Sequence, residues 1–98
     1  MDTQPFIAIP PRVIVDESGS SAPLVDELES LISRQQPQVI GLTGVGKTTA
    51  LRFVAEYFAG HPQIAVIDDE FISGSPSSPL IVTSNRGRHT SRVYTLAT

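Results

Sequence analysis

The stretch from Gln38 to Gly60, QVIGLTGVGKTTALRFVAEYFAG, constrains the fold of this chain more than any other. It begins with a short apolar run at Val39 and Ile40, which is typical of a buried β-strand. A glycine-rich segment follows, and apolar side chains then recur at helical spacing until Gly60, a residue that favours the end of a helix. A strand, a tight loop and a helix in direct succession predict an α/β fold.

The glycine-rich segment matches the pattern G-x-x-x-x-G-K-[ST] from Gly41 to Thr48. Glycine adopts positive φ angles without a Cβ clash, so backbone N–H groups can converge there on phosphate oxygens. The first turn of the following helix adds unpaired N–H groups and the positive end of its dipole. In this pattern Lys47 reaches the β- and γ-phosphates, and the Thr48 hydroxyl is a ligand of Mg²⁺. The residues predicted to contact the phosphates are Gly41, Gly44, Val45, Gly46, Lys47, Thr48 and Thr49.

A glycine-rich turn that precedes Lys-Thr by coincidence is the alternative interpretation. The apolar strand before the loop and the amphipathic helix after it favour the phosphate-binding loop, because the pattern needs both.

The length and composition limit the other possibilities. A chain of 98 residues has room for one small domain with one core. Cysteine is absent, so the chain has no disulfides and no thiolate metal site, which is consistent with the reducing cytoplasm as its predicted location. No apolar run approaches the roughly 20 residues that span a bilayer, and we expect no signal peptide. A net charge of −3 argues against general nucleic-acid binding.

Proline and glycine divide the rest of the chain. Residues 1–20 are predicted to form an extended lead-in with a short strand, and residues 21–98 to form the domain. A first helix is expected to begin with Ser20 or Ser21 as its N-cap and to end at Arg34.

The second helix is predicted to run from Thr48 to Ala59, directly after the loop. Its Arg52 and Glu56 have the i, i+4 spacing of an ion pair, which we place on the outer side of the helix.

Carboxylates end the next apolar run. The further β-type runs are Gln63–Ile67, Leu80–Ser84 and Ser91–Leu96. Asp68, Asp69 and Glu70 follow the first of them, and the carboxyl end of a buried parallel strand is where α/β folds place their chemistry. One carboxylate there could hold Mg²⁺ and its neighbour could orient an attacking water. A strand that ends in solvated acids is the alternative.

Together these segments resemble the P-loop NTPases of the additional-strand (ASCE) division, especially the STAND and AAA+ ATPases. Gly41–Thr49 is similar to the Walker A loop, Ile64–Asp69 to Walker B, Leu80–Arg86 to the sensor-1 strand and Val93–Leu96 to the strand after it. The resemblance implies a small three-layer α/β fold with two main helices and a mostly parallel sheet of about four or five strands.

The resemblance also implies a Mg-ATP site. Lys47 and Thr48 would bind phosphate and Mg²⁺, and Asp68 would be a second metal ligand. Asp69 would be the catalytic base, with Glu70 as the less favoured candidate. The guanine motif N-K-x-D is absent from the sequence, so ATP is preferred over GTP.

Two further roles follow from the resemblance. Asn85 or Arg86 would sense the γ-phosphate, and the segment around Ile9–Val13 would be a candidate for the adenine pocket.

The chain departs from the family where Walker B meets the sensor-1 strand. Phe71–Pro79 is shorter than the dozen or so residues that a parallel crossover needs, and the helical lid domain is missing. Two interpretations stay open: a reduced or truncated parallel domain, or a local hairpin of the last two β runs.

We predict Mg-ATP binding with slow hydrolysis or none, because a site without a lid admits water. By analogy with STAND proteins the role would be a signalling or defence switch. The alternatives are a non-hydrolysing phosphate- or nucleotide-binding module, or a partial domain with a structural role. Exposed sheet edges favour association with a second copy or a larger partner.

Overall fold

The computed structural model describes residues 9–69, 71–84 and 90–97 of the chain. In these residues it is a small α/β domain with two helices and a mixed sheet of five mostly parallel strands, as the sequence predicts. The elements are β1 (Arg12–Ile14), β2 (Ser21–Pro23), α1 (Leu24–Arg34), β3 (Gln38–Thr43), α2 (Lys47–Tyr57), β4 (Ile64–Ile67), β5 (Ile72–Ser73), β6 (Leu80–Thr83) and β7 (Arg92–Thr95).

The strand order of the main sheet in this part of the chain is β5-β4-β6-β3-β7. Strands β4, β6, β3 and β7 are parallel, and β5 pairs antiparallel with β4 at the edge. The hairpin interpretation is wrong, because β6 and β7 lie on opposite sides of β3 and each pairs with it in parallel. The whole connection from β4 to β6, residues 68–79, includes β5 and is therefore long enough for a crossover.

The core lies on one face of this sheet. In the register of the central strands, Ile40 lies beside Val82, which lies beside Val66, and all three side chains are buried. These side chains belong to the same buried cluster as the apolar residues of both helices. The members from the helices are Leu24, Val25, Leu28, Leu31, Ala50, Leu51, Val54 and Phe58.

A hydrogen bond joins the two helices on this face, since the Tyr57 hydroxyl of α2 donates to Glu29 of α1 over 3.3 Å. Both described helices therefore pack on the same face. The third layer predicted from the sequence is not seen in residues 9–69, 71–84 and 90–97.

Helix α1 begins later than predicted because the preceding residues pair as a strand. Ser21 lies opposite Ile14 in the β1–β2 sheet, and its hydroxyl accepts a bond of 2.9 Å from the Arg12 guanidinium group. Ser21 is thus unavailable as a cap, and the N-cap is Pro23, which has extended backbone angles. The helix ends at Arg34 as predicted.

Parallel pairing brings the carboxyl ends of β3, β4, β6 and β7 to one edge of the sheet. The glycine-rich loop follows β3, and Asp68 and Asp69 follow β4, so both segments lie along this edge. This is the edge where ligands bind in open α/β sheets.

Candidate functional site

The glycine-rich loop is short and turned by glycine. Gly44 has φ 109° and Gly46 has φ 87°, conformations that residues with a Cβ rarely adopt. Val45 stands between them with 80% of its surface exposed. The loop is tighter than the sequence suggests, because β3 continues to Thr43 and α2 already begins at Lys47.

Backbone amides that have no partner among the described residues lie where this loop enters α2. Gly46 is the N-cap of α2, and as a glycine it has no side chain that could cap the helix amides. The first α2 amide that donates to a described residue is that of Ala50, whose acceptor is the Gly46 carbonyl at 2.9 Å. The amides of residues 47–49 therefore have no partner among the described residues, and they point out of the positive end of the helix dipole. This is the arrangement that binds anions at helix N-termini.

Lys47 is the first residue of α2 and the only lysine of the sequence. Its side chain is half-buried, and it forms no ion pair with a carboxylate of the described residues. Within the part of the chain that the structure describes, the site thus offers an ammonium group and backbone amides that have no partner. Both groups favour a negatively charged ligand.

The end of β7 supports the loop from one side, which the sequence analysis did not foresee. The Leu96 amide donates to the Thr43 carbonyl at 2.8 Å, where the loop leaves β3. A Cβ at Gly44 would lie 3.3 Å from the Leu96 nitrogen and 3.4 Å from its Cβ, so only glycine fits without a shift. The sequence indicated only a β-type run over Ser91–Leu96, and such a run does not identify its partner.

Asp68 and Asp69 lie in the hairpin that joins β4 to β5, where Ile67 pairs with Ile72. The Asp68 amide donates to the Phe71 carbonyl at 3.0 Å and closes the turn. The Oδ1 atom of Asp68 is buried and has no hydrogen-bond partner among the described residues. A carboxylate oxygen withdrawn from water is costly unless something pairs with it. This oxygen is therefore suited to a cation. Asp69, by contrast, is exposed.

A contact from α2 shows which face of the helix this turn meets. The Arg52 guanidinium carbon lies 5.6 Å from the centre of the Phe71 ring. The predicted ion pair of Arg52 with Glu56 is wrong, since no such pair forms between these described residues. Thr48 precedes Arg52 by four residues, so the two side chains share one face of α2. The side of α2 that carries Arg52 therefore meets this turn at Phe71, and Thr48 lies one helical turn earlier on that side.

The end of β6 brings further polar side chains to this edge. Thr83 and Ser84 are both buried, and Thr83 lies opposite Gly41 in the ladder. Sequence reasoning did not select either of them, because nothing in LIVTS separates a buried hydroxyl from a solvated one. Three predicted site residues lie outside the described residues: Glu70, Asn85 and Arg86.

A cavity of about 260 Å³ opens beside the loop. Its walls include Ile9, Pro11, Val45, Leu96 and Ala97, and most of this lining is apolar. Arg12 also borders the cavity, but its guanidinium group donates to the hydroxyl and carbonyl oxygens of one serine in β2. Of the segment proposed for adenine, residues 9, 11 and 12 line the cavity, whereas residue 13 is buried in the core. A larger cavity, about 290 Å³, lies away from the loop beside the amino end of β4.

The described side chains contain no group of three or more His, Asp or Glu residues that could hold a metal ion unaided. Magnesium commonly needs only one or two protein ligands when phosphate oxygens complete its shell. Neither of the described helices is long and apolar enough to cross a membrane. Comparisons of the chain with protein-family models, with curated proteins and with solved structures find no match.

Proposed function

We propose that this chain binds Mg-ATP at the loop between β3 and α2. One observation carries the proposal. The amides of residues 47–49 are unpaired among the described residues and stand next to a half-buried, unpaired Lys47. Free amides and an ammonium group at a helix N-terminus bind phosphate oxygens by charge-assisted hydrogen bonds. The predicted Gly44, Val45, Gly46, Thr48 and Thr49 form the remainder of this phosphate site. The predicted Gly41 instead lies buried within β3, where it pairs with Thr83 and Val93.

Two residues would hold Mg²⁺ in this site, Thr48 through its hydroxyl and Asp68 through its carboxylate. The residues fit the ion, because Asp68 Oδ1 is buried without a partner in the described structure. Magnesium prefers oxygen ligands and would supply positive charge to the phosphate oxygens.

The cavity beside the loop is the proposed place for the base of the nucleotide. It adjoins Val45 and Gly46, and its apolar lining suits the flat face of a purine. The absence of N-K-x-D from the sequence favours adenine over guanine.

The sheet order supports the proposed likeness to P-loop NTPases of the additional-strand division. Strand β6 lies between β3 and β4, so an extra strand separates the loop strand from the strand that carries Asp68. The three-layer form of that family would need helices on the second face of the sheet as well. The described residues place no helix there. A role as a signalling or defence switch stays a prediction from the resemblance.

The decisive experiment is a titration with a fluorescent ATP analogue and Mg²⁺. We expect saturable binding by the wild type and a loss of at least about tenfold in affinity for Lys47→Ala, since a charged phosphate contact is removed. Arg34→Ala is the matched control, because it removes one exposed positive charge from the end of α1. Unchanged binding by Lys47→Ala would contradict the proposal.

A binder without turnover is the second candidate, and the open site favours it. Val45 is 80% exposed, and Thr48 and Thr49 are exposed as well, so water has access to the phosphate site. Hydrolysis gains from the exclusion of water. Phosphate release by wild type and Asp69→Asn separates the two candidates. Equal, background-level release with intact nucleotide binding identifies the non-hydrolysing module, whereas a loss of release in Asp69→Asn identifies an ATPase.

A further inference from the structure

The contact between Arg52 and Phe71 links the two halves of the proposed site. Arg52 belongs to α2, the helix that begins at the loop. Phe71 closes the turn after β4 that contains Asp68 and Asp69, which we call the acidic turn. The guanidinium carbon lies 5.6 Å from the ring centre, within the range of a cation–π interaction. Phe71 is half-buried and packs against the core, so its ring is held from a second side.

The position of this ring bears directly on Asp68. The Phe71 carbonyl accepts the Asp68 amide at 3.0 Å, and the next residue, Ile72, pairs with Ile67 in the β4–β5 ladder. Three interactions thus hold the turn: the β4–β5 pairing, the hydrogen bond from the Asp68 amide, and the contact with Arg52. Only the last of these three comes from α2.

We infer that Arg52 is a positioning residue, which acts through Phe71 to hold the acidic turn against α2 so that Asp68 faces Thr48. The inference rests on the proposed Mg-ATP site. Arg52 touches neither the metal nor the phosphates in this scheme. Its role is to fix the orientation of a ligand, as hydrogen-bonded partners do around other metal sites.

The first test uses the protein without nucleotide. Hydrogen exchange at the Asp68 amide, resolved by NMR, reports how often the turn opens. We expect Arg52→Ala to speed this exchange about two- to fivefold, the factor that an exposed cation–π contact supports. Arg34→Ala should leave it unchanged. An unchanged rate in Arg52→Ala would overturn the inference, whether or not the chain binds nucleotide.

The second test separates positioning from general stability. The affinity of the fluorescent ATP analogue is measured in EDTA and at increasing Mg²⁺. We expect Arg52→Ala to keep the affinity measured in EDTA but to bind Mg²⁺ about two- to fivefold more weakly in the ternary complex, since the loss cannot exceed the free energy of the contact. Arg52→Lys should recover part of the loss, because lysine also makes cation–π contacts. Phe71→Leu, which keeps an apolar side chain in the core, should reproduce the defect of Arg52→Ala.

The outcomes distinguish two kinds of failure. An equal loss of affinity with and without Mg²⁺ in Arg52→Ala would overturn the inference, because it indicates a structural role alone. No binding by the wild type would instead overturn the proposed function, and the exchange at Asp68 would still decide whether Arg52 holds the turn.

Discussion

At the scale of single residues, two glycines with nearly equal backbone angles test the loop against a matched control. Gly46 has φ 87° and Gly19 has φ 89°, and a Cβ at either position would meet no atom within 4 Å. Alanine at each should therefore cost about 1–2 kcal/mol of unfolding free energy, through backbone strain alone. Only Gly46→Ala should also weaken nucleotide binding, because Gly46 orients the amides that follow it. Equal nucleotide affinity in the two variants would contradict a role for the loop.

The pH dependence of stability has a contribution from Tyr94. Burial of its hydroxyl, and then the negative charge of Glu27 that accepts its hydrogen bond at 3.2 Å, raise its pKa above the ordinary value near 10. A raised pKa in the folded state stabilises the fold below the unfolded pKa, and this contribution is lost as pH rises through the folded-state pKa. We expect the unfolding free energy of the wild type to fall more steeply above pH 10 than that of Tyr94→Phe.

Chemical denaturation at several pH values checks this expectation. Tyr57→Phe is the control, since the Tyr57 pKa is also raised, chiefly by Glu29, but its side chain is exposed and solvent screens the charge. If the unfolding free energy of Tyr94→Phe falls with pH as steeply as that of the wild type, this contribution does not come from Tyr94.

Residue patterns predicted the backbone conformation of the loop more fully than its surroundings. The glycine-rich pattern predicted positive φ angles at some positions of the loop, and Gly44 and Gly46 have them, because short-range steric rules decide these angles. The support from Leu96 and the contact of Arg52 with Phe71 join residues that are distant in the sequence. The spacing of apolar residues along the sequence carries no information about such distant contacts. The sequence therefore indicated the local Arg52–Glu56 pair instead.

At the scale of elements, the helices and the long strands were predictable, and the pairing of the strands was not. Strand β2 consists only of Ser21–Pro23 and forms by pairing with β1. This pairing is not visible in the local sequence, where the same residues are typical of a helix start. Likewise β6 and β7 fit a hairpin or a parallel pairing equally well by composition. In the structure β3 pairs with β6 on one edge and with β7 on the other.

The segment after β5 gives a sharp test of this topology. Gly74 has φ 92°, and a Cβ there would lie 2.9 Å from the Ala65 Cβ and 3.2 Å from the Ile64 carbonyl oxygen. Gly74→Ala should therefore cost about 2–4 kcal/mol, since strain and overlap add. Gly60→Ala, with φ 80° and open space, should cost about half as much. Equal losses on denaturation would show that the segment does not lie against β4.

At the scale of the whole molecule, ligand binding should be visible in stability. A ligand that binds only the folded state adds about 2.7 kcal/mol at a hundred times its Kd. For a domain of this size, that gain should raise the Tm by about 10 °C or more. Mg-ATP should have this effect on the wild type and not on Lys47→Ala. An equal rise in both would indicate binding elsewhere on the fold.

The central claim is that the amides at the start of α2 contact phosphate, and NMR observes those amides directly. On addition of Mg-ATP to ¹⁵N-labelled protein, we predict that the largest amide shifts fall on residues 44–49, with little change at Gly60, His61 and Gln63 on the opposite edge of the sheet. Shifts that spare residues 44–49 while ATP changes other amides would contradict the account.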